Sequence, residues 1–353
     1  MKARLKALWQ RGLPWLVNGC RLLLAITFLF SGWVKANDPL GTTVKLDDYA
    51  VAWGITSANG LLTLATAVAL AFAEISLGVC LLFGLNRRVI SRLTLFFMVV
   101  MTVLTAWLYA TDAVSDCGCF GDVLILSNGE TLLKNIVLLT CAAVVWRWYR
   151  LQKRFIGENN AWLVSMPLML GAVALAAYSI YALPMVDFRP FHEGANVRQM
   201  WEQPKLQSRR TYKLHELDVA DWAVQRETED GYAEEITEDI LYDAGYVFLL
   251  IAPNLATADQ GCAGDINVVY DLAQRIGASF YCLTASDVKA QLRWSDYTGA
   301  EYPFGMSDER LLKTMVRANP GLILMHDGIV LKKWSNWNLP DEEEAEGVIN
   351  SKF

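Results

Sequence analysis

Residues 61–83 read LLTLATAVALAFAEISLGVCLLF. A single charge, Glu74, interrupts a run long enough to cross a hydrocarbon core of about 30 Å, for which roughly 20 apolar residues suffice. A helix packed on a water-soluble core is apolar along one stripe only, whereas this run is apolar all round. It therefore predicts a transmembrane helix. Working outward from it, Leu16–Lys35, Leu93–Tyr109, Asn135–Tyr149 and Ala161–Leu183 read as four further spans. The first has Arg-rich flanks and lacks a small-residue cleavage site, so it does not read as a removable signal peptide.

Beyond residue 184 acidic and basic residues return at the density of a soluble domain. The averages over 353 residues, 54% apolar and 19% charged, thus combine a membrane half with a water-soluble half. Net charge is −6, and basic residues cluster only beside the spans, which argues against a nucleic-acid partner. The acidity reads as solubility.

Lys and Arg set the expected orientation. Lys2, Arg4, Lys6 and Arg11 precede the first span; Arg87, Arg88 and Arg92 lie between the second and third; Arg147, Arg150, Lys153 and Arg154 lie between the fourth and fifth. The opposite loops offer Lys35, Lys45 and Lys134. The positive-inside rule places the N-terminus in the cytoplasm and the C-terminal domain outside, which in a Gram-negative cell is the periplasmic side of the inner membrane. Two charges read as intramembrane, Glu74 and Arg21, and similar counted depths suggest that they pair. The pair would lock the bundle or face a cavity. All three histidines (His192, His215, His326) fall in the soluble half, which leaves no bis-histidine haem arrangement and no transition-metal site between the helices.

Between the third and fourth spans lies Ser115-Asp-Cys-Gly-Cys-Phe-Gly-Asp122. Glycine between Cys117 and Cys119 lets the backbone bend enough for the two to meet. A disulfide there closes a very small ring, expected to be strained and easily reduced. Lys134, read as the start of the next helix, would lower a nearby thiol pKa; Asp116 and Asp122 act the other way. A reversible redox pair, a permanent staple and an incomplete metal site all remain open. Cys20, Cys80 and Cys141 lie at different depths on different helices by the same counting, and read as packing residues.

The first half resembles the DoxX/MauE superfamily of four-helix membrane proteins. Phe30-Ser-Gly-Trp-Val-Lys35 with Asp38-Pro-Leu-Gly41, Glu74, and Asp116-Cys-Gly-Cys-Phe-Gly-Asp122 with Thr131 and Lys134-Asn135 carry the likeness, over roughly residues 15–150. The resemblance implies a bundle with its cysteine loop on the trans side, disulfide formation in exported proteins, and quinone-linked thiol oxidation.

In the soluble half, Pro184, Pro190 and Gly194 open a connector in which Tyr212–Leu214 reads as a short strand, and the acidic run Glu227–Asp239 as a solvated face. Then Tyr246–Ala252 and Ser279–Leu283 read as strands, Asp265–Ile276, Asp287–Trp294 and Asp308–Ala318 as helices, and Leu322–His326 with Ile329–Trp334 as a hairpin turning at Asp327-Gly328, before a terminal helix Pro340–Ile349. This β-α-β-α-β-β-α order resembles the thioredoxin fold. The resemblance implies a cis peptide at Pro320 beside the active cysteines, yet Gln260-Gly-Cys-Ala-Gly-Asp265 holds Cys262 in the first position of the Cys-x-x-Cys pair and Asp265 in the second. Cys282 reads as core.

The expected organisation is a four-helix membrane domain (1–155), a fifth span (156–184), a connector (185–240) and a thioredoxin-like domain (241–353). The expected function is a membrane thiol–disulfide relay from Cys117 and Cys119 to a periplasmic thiol protein, Cys262 included, with a quinone at the far end. The rival is a non-enzymatic anchor presenting a degenerate thioredoxin-like module to an envelope complex. Five spans without an internal repeat weigh against a transporter.

Overall fold

The computed structural model describes residues 2–55, 60–114, 116–157, 160, 162–202, 219, 222–227 and 233–350, with side chains from Gly12 onward. The chain forms two compact units, residues 1–180 and 181–353.

The first unit contains α1 (Lys2–Asn37), α2 (Pro39–Ala52), α3 (Gly60–Phe83), α4 (Arg87–Thr111), α5 (Asn128–Arg147) and α6 (Trp162–Tyr181). Five stretches are long and apolar enough to cross a membrane: Gly12–Asn37 of α1, and all of α3, α4, α5 and α6. Large apolar side chains such as Ile26, Phe96, Val103 and Leu170 point outward, as lipid-facing helices require. The closest packing joins α1 to α3. A Cβ on Gly32 would stand 2.9 Å from the backbone N of Ile75, and one on Gly78 2.9 Å from that of Leu29. Without a hydrophobic force between helices in lipid, such small residues let backbones approach and gain contact. They also fix the register: residue 32 stands beside 75, and 29 beside 78.

Two local features differ from expectation. The segment after the first span, read as a loop, holds α2, which Asp38 caps by accepting from Gly41 N at 2.8 Å with Pro39 in the first turn. Helix α5 starts at Asn128, seven residues before the expected span, because Ser127 and Glu130 form a capping box. Lys134 therefore lies in its second turn.

The second unit is an α/β domain: α7 (Val197–Glu202), β1 (Gln225–Glu227), β2 (Ala233–Glu235), α8 (Thr237–Leu241), β3 (Tyr246–Ile251), α9 (Ala263–Ile276), β4 (Ser279–Thr284), α10 (Val288–Thr298), β5 (Phe304–Met306), α11 (Glu309–Met315), β6 (Gly321–His326), β7 (Ile329–Ser335) and α12 (Glu342–Asn350). The sheet order is β2-β1-β5-β4-β3-β6-β7, with β3, β4 and β5 parallel and β6 and β7 antiparallel. On β3, Val247, Leu249 and Ile251 enter one core, and Phe248 and Leu250 the other, so both faces are covered. This is a thioredoxin-like arrangement. The hairpin turns at Asp327 and Gly328, both at positive φ.

The region expected as a separate connector is part of this domain: Phe191, Val197, Trp222, Val224, Ile236 and Ile240 belong to its core. Strand β5 is three residues long and was not anticipated. Tyr212–Leu214 lies outside the described residues.

Candidate functional site

Cys117 and Cys119 are joined by a disulfide, with Cα atoms 5.4 Å apart. Gly118 between them adopts φ +62°, in the left-handed region that a side chain disfavours, and a Cβ there would stand 3.2 Å from Lys45 Cγ. Helix α2 holds the Cys117 half of the loop. Tyr49 donates its hydroxyl to the carbonyl of Cys117 at 3.0 Å, and Lys45 pairs with Asp116 at 3.0 Å. Burial, followed by the nearby Asp116 carboxylate, raises the Tyr49 phenol, which keeps it a donor. Cys117 is buried against Tyr49, Leu108 and Val114, whereas Cys119 is partly exposed.

The Cys119 half rests on a buried polar network. Ser31 Oγ donates to the carbonyl of Cys119 at 2.6 Å, and Lys35 Nζ donates to the same oxygen at 3.0 Å. Lys35 also donates to Ser31 Oγ at 2.7 Å and to Glu74 Oε2 at 2.9 Å. Both charged side chains of this pair are 3% exposed. A buried ion pair is held only when its remaining hydrogen bonds are satisfied, and here Ser31 and the Cys119 carbonyl satisfy those of Lys35.

Glu74 thus pairs with Lys35 and not with Arg21. The glycine contacts set α3 so that Glu74 reaches the cysteine-loop end of α1, whereas Arg21 lies 14 residues earlier, about 21 Å along the helix. Arg21 instead donates to the carbonyl of Lys153 and stacks on Phe155 at 5.3 Å. The sequence reading treated Lys35 as a loop cation. The clue lay in Ser31 and Lys35 at i, i+4 spacing, one face of a helix. Tyr49 was likewise missed.

Lys134 stands 4.1 Å from the centre of the Phe120 ring. It lines a cavity of about 30 Å³ together with Cys119, Glu74, Ser31 and Asn135, walled by apolar side chains that include Phe97 and Met98. The quinone that the resemblance implies would find donors and aromatic walls here, but the volume holds about two waters and no ring. The cavity does not fit that group. Cys20 and Cys141, expected at different depths, pack on one cluster.

In the α/β domain, Cys262 caps α9 and is buried, its Sγ donating to the carbonyl of Asp259 at 3.2 Å. Burial first, then the Asp259 carboxylate, pushes its thiol up to about 11, and exposed Asp265 in the first turn adds to the shift. The Asn319–Pro320 peptide is cis, and Asp259 N donates to the carbonyl of Asn319 at 3.0 Å, joining that turn to the segment before Cys262. Cys282 is fully buried in β4. Among the described residues no group of three His, Cys, Asp or Glu could hold a metal ion.

Residues 13–148 match the family described as methylamine utilisation protein MauE. Among solved structures, the C-terminal part is similar to a proposed protein disulfide isomerase from Bacteroides thetaiotaomicron (13% identity, 36% of this chain and 83% of that chain, TM-score 0.28). It is also similar to the mitochondrial 2-cys peroxiredoxin from Plasmodium falciparum (14% identity, 36% and 88%, TM-score 0.28). No curated protein matches the chain significantly.

Proposed function

We propose that this membrane protein, a MauE-type helical unit followed by a thioredoxin-like domain, exchanges disulfides with exported thiol proteins through Cys117 and Cys119. The observation that carries the reading is the seat of the disulfide. Tyr49, Ser31 and Lys35 hold the loop through its backbone carbonyls and not through the sulfurs, so breaking the S–S bond removes none of these hydrogen bonds. A partner thiolate attacks one sulfur, forms a mixed disulfide and releases the other as a thiolate. The partner's second thiol then displaces the loop cysteine. Two electrons and two protons pass to the loop, which ends as a dithiol, while the partner gains a disulfide. Run in reverse, the same steps reduce a partner. In this reading the loop and the thioredoxin-like domain both face the periplasm of the inner membrane.

A second reading has its own support. Cys262 lacks a second cysteine and is buried with its thiol raised, a poor nucleophile at neutral pH. That favours a domain that binds partners without exchanging with them, carried by a membrane anchor.

Differential alkylation of Cys117 and Cys119 in native membranes, read by mass spectrometry, tests the choice. A pair that turns from oxidised to reduced with a mild dithiol, and back with an added small-molecule disulfide, supports exchange. A pair that stays oxidised throughout is a staple, and the binding reading then stands.

A further inference from the structure

We propose that in the reduced loop Cys119, and not Cys117, is the thiolate, and that the ammonium of Lys134 is its counter-ion. The inference rests on the exchange reading and names the residue that would direct it.

Three observations lead to it. First, the two cysteines have different surroundings. Cys117 is buried within the cluster of Tyr49, Leu108 and Val114, against which Cys119 also packs, but of the two only Cys119 lines the cavity that also contains Lys134, Glu74, Ser31 and Asn135. Second, the charges around that cavity do not balance. Lys35 from α1 is matched by Glu74 from α3, and among the described residues Lys134 from α5 makes no ion pair of its own. One positive charge is left over in a half-buried site inside the bundle, where an unmatched charge is costly. The α4 wall, Phe97, Met98 and Met101, adds no titratable group. Of the loop's carboxylates, Asp116 is bound to Lys45 and Asp122 is exposed. An anion formed at Cys119 would complete the balance. Third, Phe120 follows Cys119 directly and carries the Lys134 ammonium on its ring, which holds the cation at the cavity while the disulfide is closed.

The consequence is directional. When a partner thiolate attacks Cys117, the electron pair of the breaking S–S bond leaves on Cys119, beside Lys134, and a more stable thiolate leaves faster. Attack at Cys119 would expel a Cys117 thiolate that is buried against Leu108 and Val114 and adjoins the Asp116 carboxylate, whose charge Lys45 already matches. By leaving group the mixed disulfide is favoured on Cys117, whereas by exposure alone Cys119 is the nearer target.

The test uses the full-length chain in membranes. Cys117→Ser leaves Cys119 as a free thiol, Cys119→Ser leaves Cys117, and the pH at half-maximal alkylation rate is read for each by mass spectrometry of the loop peptide. Cys119 should titrate about one pH unit or more below Cys117. Lys134→Met in the Cys117→Ser chain should raise the Cys119 midpoint by a similar amount, and Lys134→Arg should keep it low. Equal midpoints for the two cysteines overturn the proposal even if Lys134→Met does not fold, as does a Cys119 midpoint that Lys134→Met leaves unmoved. A disulfide that never exchanges, combined with a low Cys119 midpoint, sinks the exchange function and leaves this assignment standing.

Discussion

At the scale of single residues, the two units solve the same problem, a buried lysine, in different ways. In the membrane unit Lys35 has one carboxylate, one hydroxyl and one carbonyl. In the α/β domain Lys333, 3% exposed, shares Asp187 with Arg189, at 2.7 Å and 2.8 Å. Burial, then the Arg189 charge, lowers Lys333 to about 8, against attraction by Asp187. For Asp187, burial raises the carboxyl, and Arg189 and Lys333 together outweigh it, leaving it below the ordinary value. The pH consequences follow from the signs. Between about 8 and 10.5 the unfolded chain binds more protons at this lysine than the folded one, so stability rises with pH across that window. The Asp187 contribution is present above the ordinary carboxylate range and is lost as pH falls through its lowered value. Relative to Lys333→Met, the wild-type domain should gain up to ~3 kcal/mol between pH 8 and 10.5. Asp187→Asn, which removes the carboxylate shared by two buried cations, should cost about 3–5 kcal/mol. Melting of the detergent-solubilised protein by intrinsic fluorescence checks both, and parallel pH profiles for wild type and Lys333→Met would contradict the first.

At the scale of elements, the α1–α3 contact decides whether the site exists. Gly32→Val or Gly78→Val places side-chain atoms where the facing backbone now stands. The helices must part, and Lys35 and Glu74 part with them. The expected loss is about 2–4 kcal/mol of bundle stability, from lost packing and a broken buried pair. It is read as reduced recovery of monodisperse protein on gel filtration after heating, whereas Gly171→Val on α6, where a Cβ meets nothing within 4 Å, should behave as wild type. The same contact explains what the sequence hid. Long apolar runs mark the membrane helices plainly, and the cysteines and Glu74 stand out because their types are costly or reactive where they lie. The partner of Glu74 was not legible, because register between helices is set by which residues are small enough to touch, and counting depth from span ends misjudged it. Helix α2 is short and mixed in polarity, though Asp38-Pro39 is a helix-start signal, and Ser127-x-x-Glu130 announces α5. Strand β5, at three residues, is too short to show alternation.

At the scale of the whole molecule, the question is which compartment the disulfide sees. The positive-inside count, eleven against three, treated Lys35 and Lys134 as loop residues. Both lie within membrane-spanning helices, where Lys35 serves Glu74 and Lys134 stands on Phe120. Only Lys45 remains on the cysteine-loop side, and it is committed to Asp116. The asymmetry is thus steeper than the count suggested. At the opposite end the basic residues are tied to the chain itself: Arg87 donates to the carbonyl of Gln152 at 2.5 Å, and Gln152 to Ser91 at 2.9 Å. Two candidate spans, α5 and α6, separate the cysteine loop from the α/β domain, so the proposed topology has both on one side. Reporter fusions test this directly. Alkaline phosphatase, which needs an oxidising compartment, should be inactive when joined after Arg154 and active after Glu193, and a fluorescent protein that folds only in the cytoplasm should show the reverse. The inverted result would place Cys117 and Cys119 among cytosolic reductants, where a disulfide does not persist, and the exchange reading would fall with the topology.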